Sequence, residues 1–294
     1  MNPTPRQVSV PNPIEATKQY PYTRGLDYLR RRSREHVAIA DALTHTLPPE
    51  MLAGPIFALC DYGAGFGDLC VAVLQSLSRR RPMQAGSIVD VVDLDPRLLA
   101  YASEALGACG YSARKLTPKT FHQQSRRYQL ILASHVLYYI SDRPAAVADL
   151  AQRLTRGGQL AVILRSDACD TYSIRSAVRN APSVVPPEPG RPRLRVADVE
   201  GMLRSVGLYP RTEQVIATFR VPVSDVRHRD LYSADPSTDA TEFIRFVGHI
   251  PTTTNARSSA ASAVEQELAA RLDGDSYTFR IATAVVTGST DVAA

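Results

Sequence analysis

Short apolar runs and amphipathic segments alternate along most of this 294-residue chain. Each apolar run is rich in Leu, Val and Ile, which is typical of a buried strand, and each segment after it repeats apolar residues at helical spacing. Alternation of this kind predicts a parallel sheet with helices on both faces. The first predicted strands span 56–61, 87–93, 112–116 and 128–134, and the predicted helices span 67–78, 97–109 and 144–154.

The second half of the chain continues the pattern less regularly. A turn at Arg156-Gly157-Gly158 precedes a predicted strand at 159–165, and further strands are expected at 212–221 and 277–287. The fold class is therefore α/β: a Rossmann-like, doubly wound, seven-stranded and mostly parallel sheet. Further helices are expected at 198–206, 239–249 and 260–272.

The predicted domain organisation adds a lid to this sheet. Residues 1–48 are expected to form a Pro-rich arm and a lid helix over 24–46, ahead of one domain over 49–294. Insertions around 166–195 and 222–272 are expected to bind the substrate. A Pro-rich stretch at 181–193 is unsuited to regular structure and is long enough to form a lid or wall.

A glycine turn follows the first predicted strand. Asp61-x-Gly63-x-Gly65-x-Gly67 leads into an apolar helix, which predicts a nucleotide-cofactor site, because glycines let the backbone approach a ligand closely at a helix N-terminus. A dinucleotide fingerprint would need a third glycine at position 68, where this chain has Asp68. A cationic, phosphate-free cofactor tolerates nearby acids, so the turn favours S-adenosylmethionine over NAD.

The second predicted strand ends in acids. Asp93 is expected to bind the cofactor ribose, since ligands of open α/β sheets bind at the carboxyl ends of the strands. Asp95 precedes Pro96 and is better explained as a helix cap than as a cofactor contact.

Composition and charge narrow the class of protein. With 44% hydrophobic residues the chain can bury a full core, and it contains no apolar run of membrane length and no signal-peptide pattern. A cytoplasmic enzyme with reduced cysteines is therefore expected, with no membrane partner. The net charge is +5. The Arg cluster at 30–34 is interpreted as a solvated helix surface rather than a nucleic-acid site, and the cluster at 79–81 as the basic end of a helix, which suits the helix dipole.

Several motifs occur in an order typical of a known family. The glycine turn, Val-Val-Asp93, the run from Tyr128 to Ile140 and the Gly157-Gly158 turn resemble class I S-adenosylmethionine-dependent methyltransferases. Three stretches are further similar to histamine N-methyltransferase, and the similarity extends over most of the chain. These stretches are Ser33-Arg-Glu35-His36, Leu137-Tyr138-Tyr139 with Asp142-x-Pro144-Ala145, and the segment from Asp198 to Gly207-Leu208.

The resemblance implies roles for individual residues. Gly63 and Gly65 would line the methionine end of the cofactor, Asp93 would bind its ribose, and Ser134 would close the pocket. The other residues expected at the cofactor are Asp61, Ala64, Leu94, Thr117 and Pro118, the last two on the adenine side.

The substrate site implied by the resemblance includes Glu35, His135, Tyr139 and Arg280. Glu35 matches a carboxylate that holds the substrate amine, while His135 and Arg280 replace neutral amides. A guanidinium would suit an acceptor that bears a carboxylate, so histamine is not transferred as the substrate. Three of these residues also have a structural interpretation: Glu35 could pair with Arg31, His135 could be a core histidine, and Tyr139 could be a core residue after strand four.

The expected chemistry is in-line methyl transfer to a small molecule, with an amine as the favoured nucleophile and His135 or Glu35 as the base. Tyr139 is included among the catalytic candidates. No metal cluster and no motif for methylating nucleic-acid bases is visible, so neither a metal nor a nucleic-acid partner is expected. Two alternatives stay open: use of the aminocarboxypropyl arm of the cofactor, and a non-catalytic cofactor-binding subunit. The oligomeric state is not indicated.

Overall fold

A computed structural model shows the predicted sheet with helices on both faces. It describes residues 23–52, 56–80, 86–181, 193–233, 237–248, 250 and 254–290. The strands lie in the order β3-β2-β1-β4-β5-β8-β6, and a short β7 pairs with β8 outside this path. Neighbours are parallel from β3 to β5, whereas β8 is antiparallel to both β5 and β6. The mostly parallel α/β fold is confirmed.

The strands agree with the apolar runs of the sequence. The strands at 58–62, 88–92 and 128–134 are buried or nearly so, as expected when helices cover both faces, whereas the edge strand at 113–116 is partly exposed. The eight strands are β1 (Ala58–Tyr62), β2 (Ile88–Val92), β3 (Ala113–Leu116), β4 (Tyr128–Ser134), β5 (Leu154–Arg165), β6 (Tyr209–Pro222), β7 (Leu272–Asp273) and β8 (Ser276–Ser289).

The helices connect the strands and add a cluster beside the sheet. Asp95 caps α4 by accepting a hydrogen bond from the Arg97 N–H, which confirms its interpretation as a helix cap. The eleven helices of the described residues are α1 (Thr23–Ser33), α2 (Glu35–Thr46), α3 (Asp68–Arg80), α4 (Pro96–Ala108), α5 (Pro118–His122), α6 (Arg143–Gln152), α7 (Asp170–Asn180), α8 (Val196–Ser205), α9 (His228–Leu231), α10 (Asp239–Gly248) and α11 (Thr254–Ala269).

The single lid helix predicted over 24–46 is wrong, because the chain forms two helices that meet at Arg34. Arg34 adopts a left-handed conformation with φ 48°, although it is not glycine. The Ser33 hydroxyl accepts a hydrogen bond from the Glu35 N–H at 3.3 Å, so a side chain satisfies a donor at the break. No Gly or Pro marks this position in the sequence.

Other element boundaries differ by a few residues. β5 begins at Leu154, ahead of the predicted turn, and the Gly157-Gly158 segment is a bulge in its pairing with β4. Sequence patterning did not predict α7, whose polar residues obscure its apolar stripe. The predicted arm over 1–22 and most of the predicted loop over 181–193 lie outside the described residues.

The antiparallel pair of β6 and β8 continues beyond the carboxyl end of β5, and this part of the pair is called the β6–β8 extension. β5 pairs with β8 only from Gln159 opposite Ser289 to Arg165 opposite Thr283, while β6 and β8 remain paired to Ser276. Helices α1, α7, α10 and α11 pack on this extension and form an apolar core of their own. Its aromatic centre contains Tyr28, Phe219, Phe243 and Phe279. The extension overhangs the strand ends where the candidate site lies.

Candidate active site

The glycine turn between β1 and α3 is held against the end of β2. The Gly63 and Ala64 N–H groups both donate to the Val92 carbonyl, at 2.8 and 3.0 Å. Gly63 has φ +80°, and a Cβ there would lie 2.5 Å from the Val136 side chain. Gly65 has φ +54°, and a Cβ there would meet nothing within 4 Å. The turn therefore requires glycine at 63 and opens into free space at 65.

Asp93 connects the turn to the second strand. One carboxylate oxygen accepts from the Gly65 N–H and the other from the Asp95 N–H, both at 3.0 Å. The Asp93 N–H donates to Leu116 at the end of β3, so the ends of three neighbouring strands meet here. This is the position at which open α/β sheets bind a nucleotide ribose.

Asp61 is the buried acid of the site. Its side chain is 1% exposed, and Oδ1 makes no hydrogen bond. Burial raises the pKa of Asp61 to about 7, and the carboxylates of Asp93 and Asp68 contribute to the rise. A buried, unpartnered carboxylate oxygen beside an open glycine turn fits a cofactor that brings an ammonium group.

The remaining predicted cofactor residues surround the same strand ends. Leu94 is 84% exposed directly after Asp93, and Ser134 is the half-buried last residue of β4. Thr117 is exposed and caps α5, with its hydroxyl accepting from the Thr120 N–H, and Pro118 begins that helix. Thr117 thus has a structural role in addition to the one predicted for it.

His135 follows β4 in a strained conformation. Its φ is 54°, and its N–H donates to the Ile163 carbonyl of β5 at 2.9 Å. The side chain is 30% exposed, but Nε2 is buried and makes no hydrogen bond. Burial lowers the pKa of His135, and the nearby Arg165 guanidinium lowers it further, against the opposing effect of Glu35. The imidazole is neutral at neutral pH.

Glu35 is buried at the start of α2 and engaged on two sides. Its carboxylate accepts from the Arg165 guanidinium and from the Thr283 hydroxyl. Its Oε1 lies 3.6 Å from Nε2 of His135, which is too far for a hydrogen bond. Burial alone would raise the pKa of Glu35, but Arg165 and His135 outweigh it and hold that pKa well below the usual value. Glu35 therefore remains ionised.

Arg165 was missed by the sequence analysis. It ends β5, and its guanidinium also donates to the Thr283 hydroxyl at 2.9 Å. A charged residue at the carboxyl end of an apolar central strand is the signal that could have identified it, as it did for His135.

The two tyrosines after β4 occupy different environments. Tyr138 stacks with His135 at 6.0 Å between ring centroids, and its hydroxyl accepts from the Arg165 N–H at 2.6 Å. Tyr139, which was predicted for the pocket, is 81% exposed. The structure thus brings Glu35, His135 and Tyr138 together, with Tyr139 outside that group.

Arg280 lies apart from the cluster around Glu35. It is exposed on the part of β8 beyond the end of β5, and its N–H donates to the Asp170 carboxylate of α7 at 2.6 Å. Arg280 is three residues from Thr283, so the two side chains extend from opposite faces of the strand. The guanidinium predicted to select the substrate does not face Glu35 or His135.

Helix α1 contacts the glycine turn through Arg30. Its guanidinium donates to Asp68, the first residue of α3, at 2.6 Å, and lies 4.7 Å from the Phe66 ring centroid. It also pairs with Asp27 of its own helix. The possible pairing of Glu35 with Arg31 is not formed, since Arg31 pairs with Asp27 and Asp239. The first two helices thus contact both the turn and the end of β5.

Two further properties bear on the chemistry of the described residues. They contain no group of three or more His, Cys, Asp or Glu side chains placed to hold a metal ion. None of their helices has the length and apolar character needed to span a membrane.

Comparisons with known proteins agree with this geometry. Residues 60–160 match a family described as a methyltransferase domain. Two solved structures with 14% identity to this chain share the fold. The YcgJ protein of Bacillus subtilis has a TM-score of 0.51, with 85% of this chain and 100% of that chain covered. A Bacillus halodurans protein provisionally described as a methyltransferase has a TM-score of 0.50, with coverages of 83% and 96%. No curated protein matched the chain.

Proposed function

We propose that this chain, an S-adenosylmethionine-dependent methyltransferase by its matched domain and its fold, methylates a small molecule at an amine nitrogen. The observation that carries the proposal is the buried Nε2 of His135, which has no hydrogen-bond partner and lies beside the strand ends that form the cofactor turn. Such a nitrogen is suited to accept a proton from a nucleophile that must lose one.

The residues at the strand ends fit S-adenosylmethionine, which supplies a methyl group on a positively charged sulfur when bound. Asp61 would hold the cofactor ammonium through its unpartnered Oδ1, and Asp93 would accept from the ribose hydroxyls. The absent side chain at Gly65 leaves the room that the cofactor needs. These assignments rest on an orphaned buried acid and an open turn.

His135 would act as the proton acceptor. Its neutral imidazole can take a proton at Nε2, which requires the tautomer protonated at Nδ1. Tyr138 stacks on the ring and so restrains its orientation. Positioning of the nucleophile in line with the methyl group would supply much of the remaining acceleration.

Glu35 would assist without accepting the proton itself. Its carboxylate is fixed by Arg165 and Thr283 and is held ionised, so it is a poor base. From 3.6 Å it would stabilise the imidazolium that forms on His135. From the sequence, Glu35 and His135 were equal candidates for the base. The contacts that hold Glu35 ionised favour His135 in that role.

The amine is favoured over other nucleophiles for two reasons. An amine that receives a methyl group becomes cationic and must release a proton, for which His135 provides an acceptor. The similarity of Ser33-Arg-Glu35-His36 to histamine N-methyltransferase also supports an amine. Histamine itself is not proposed, because His135 and Arg280 depart from that family.

The first experiment titrates the purified protein with S-adenosylmethionine by calorimetry and then analyses the products formed with a library of small amines. Binding with production of S-adenosylhomocysteine is expected. Asp93→Ala should weaken binding by about 1.5–3 kcal/mol, through loss of charge-assisted hydrogen bonds. Asp95→Ala is the matched control, because it removes a helix cap two residues away and should leave affinity unchanged.

Two results would contradict the proposal. Absence of cofactor binding would reject the cofactor site, and methylthioadenosine as the product would show that the other arm of the cofactor is used. Methylation confined to hydroxyl or carboxyl acceptors would reject the amine.

A further inference from the structure

Arg175 is a half-buried guanidinium with no carboxylate partner among the described residues. It lies on α7, and its Nε–H donates to the Val247 carbonyl near the end of α10 at 3.0 Å. No ion pair of the described chain includes it. Burial lowers the pKa of Arg175 from its usual value, which is the expected response of a cation removed from water without a counter-ion. A partly desolvated cation without a counter-ion is stabilised when an anion binds to it.

Its neighbours connect it to the candidate active site. Tyr172 lies one turn before Arg175 on the same face of α7, and both interact electrostatically with Tyr138. Tyr138 in turn stacks on His135 and accepts the Arg165 N–H. Helix α7, which carries Arg175, packs against β8, so Arg175 approaches the cluster from the β6–β8 extension.

Two other guanidinium groups near Tyr138 and Tyr172 already have carboxylate partners. Arg165 is paired with Glu35, and Arg193, 3.5 Å from the Tyr172 ring centroid, is paired with Asp167. Of these three guanidinium groups, Arg175 is the one that forms no ion pair within the described residues. The aromatic rings of Tyr138 and Tyr172 lie beside this charge.

We infer that Arg175 binds a carboxylate of the acceptor, so that the substrate is an amine that also bears a carboxylate group. This inference rests on the proposed function, since it describes the acceptor of the same site. Arg suits the role because its planar guanidinium can donate two parallel hydrogen bonds to a carboxylate. Its Nε bond to Val247 fixes the side chain and leaves the two Nη groups to bind. Arg280, predicted for this role from the sequence, is exposed and lies apart from the cluster around Glu35.

The test compares matched ligand pairs on the full chain loaded with S-adenosylhomocysteine. The probes are histidine with histamine, tyrosine with tyramine, and phenylalanine with phenethylamine, each titrated by calorimetry. For at least one pair, the carboxylate member should bind about tenfold more tightly than its decarboxylated partner. Arg175→Gln should reduce that preference to less than twofold, and Arg175→Lys should retain part of it.

Arg179→Gln is the matched control, because Arg179 is exposed one turn further along α7 and should leave the preference intact. The Tm of Arg175→Gln and Arg175→Lys is measured as well, because loss of the hydrogen bond to Val247 could destabilise the fold. An unchanged Tm shows that weaker binding does not result from unfolding. Affinity for S-adenosylmethionine should be unchanged in each variant.

Three results would overturn the inference. They are no carboxylate preference in any pair for the wild type, an intact preference in Arg175→Gln, or a loss of cofactor affinity in Arg175→Gln, which would assign the guanidinium to the cofactor. Failure of the wild type to bind S-adenosylmethionine would instead reject the proposed function, so the two failures are distinguishable.

Discussion

At the scale of single residues, two buried polar atoms without hydrogen bonds define the candidate site: Oδ1 of Asp61 and Nε2 of His135. Buried polar atoms in native proteins are nearly always paired, and these two lie at the strand ends where open α/β sheets bind ligands, so a ligand is expected to complete them. Asp61 lies in β1 and His135 directly follows β4, and these two strands are neighbours in the sheet. One would face the cofactor and the other the acceptor.

Asp61 gives the protein a distinctive dependence on pH. Its pKa is about 7 in the folded chain against 3.8 for an unperturbed Asp, so between about pH 4 and 7 the folded state binds more protons than the unfolded state. The contribution of Asp61 to the free energy of unfolding should therefore fall as pH rises through this window and stay constant above it.

Cofactor affinity should change in the opposite direction, because an ammonium group is attracted to the ionised form of Asp61. Calorimetry between pH 5.5 and 7 should show affinity for S-adenosylmethionine rising with pH, by up to about tenfold per unit. Asp61→Asn should bind more weakly and lose the dependence. An identical slope in this variant would show that another group is responsible.

His135 should control the chemical step. His135→Asn is expected to lower kcat by about 10²–10⁴-fold, since it removes a proton acceptor, while cofactor affinity stays within twofold. In the wild type, kcat should decline only below the ordinary histidine pKa, because the pKa of His135 is lowered. His122→Asn is the control, as that side chain is half exposed and pairs with Asp149 away from the site. An equal loss of rate in both variants would contradict the assignment.

At the scale of elements, the turn between β1 and α3 depends on glycine at one position. Gly63→Ala should abolish cofactor binding and lower the Tm, because its Cβ would lie 2.5 Å from Val136 at a φ of +80°. Gly107→Ala is a matched control within α4, where nothing lies within 4 Å, and should stabilise the protein slightly, by up to about 1 kcal/mol. Normal cofactor binding by Gly63→Ala would reject the turn as the site.

Helix α1 should couple the lid to the cofactor. Arg30→Gln removes the contacts with Asp68 and Phe66, so affinity for S-adenosylmethionine and kcat should each fall about threefold to tenfold, as for a partly exposed ion pair. Arg31→Gln, an exposed neighbour that pairs with Asp239, should leave both unchanged. Equal behaviour of the two variants would mean that α1 does not influence the site.

Deletion of the first two helices would be a poor test of the lid. Leu43 of α2 is fully buried in the core on one face of the parallel sheet, and Tyr28 of α1 is buried in the core of the β6–β8 extension. Removal of these residues would expose apolar surface and lower stability, so a loss of turnover would not be specific. The point variant at Arg30 avoids this difficulty.

At the scale of the whole molecule, the sequence predicted the sheet well because buried parallel strands are short apolar runs separated by helices. The glycine turn after β1 and the place of Asp93 at the end of β2 were also predicted, since both features are local in sequence, and their roles at the cofactor stay predictions. The break at Arg34 was not predictable, because it depends on Ser33 and on the contacts of Glu35 with distant strands. The pairing of Arg165 with Glu35 and the contact of Arg175 with Val247 were not predictable either, because each joins residues more than 70 positions apart.

Strand β8 contributes to the apolar cores on both faces of the parallel sheet and to the core of the β6–β8 extension. Val285 packs in the core on one face of the parallel sheet. Phe279, six residues earlier, packs among the aromatic rings of the β6–β8 extension. An opening of either half would disturb the hydrogen bonds of the strand they share. In native-state hydrogen exchange, the amides at both ends of β8 should therefore exchange with similar free energies, as one cooperative unit. Substitutions in the β6–β8 extension that alter substrate preference would then also have to preserve the stability of the parallel part of the sheet, where the cofactor site is proposed.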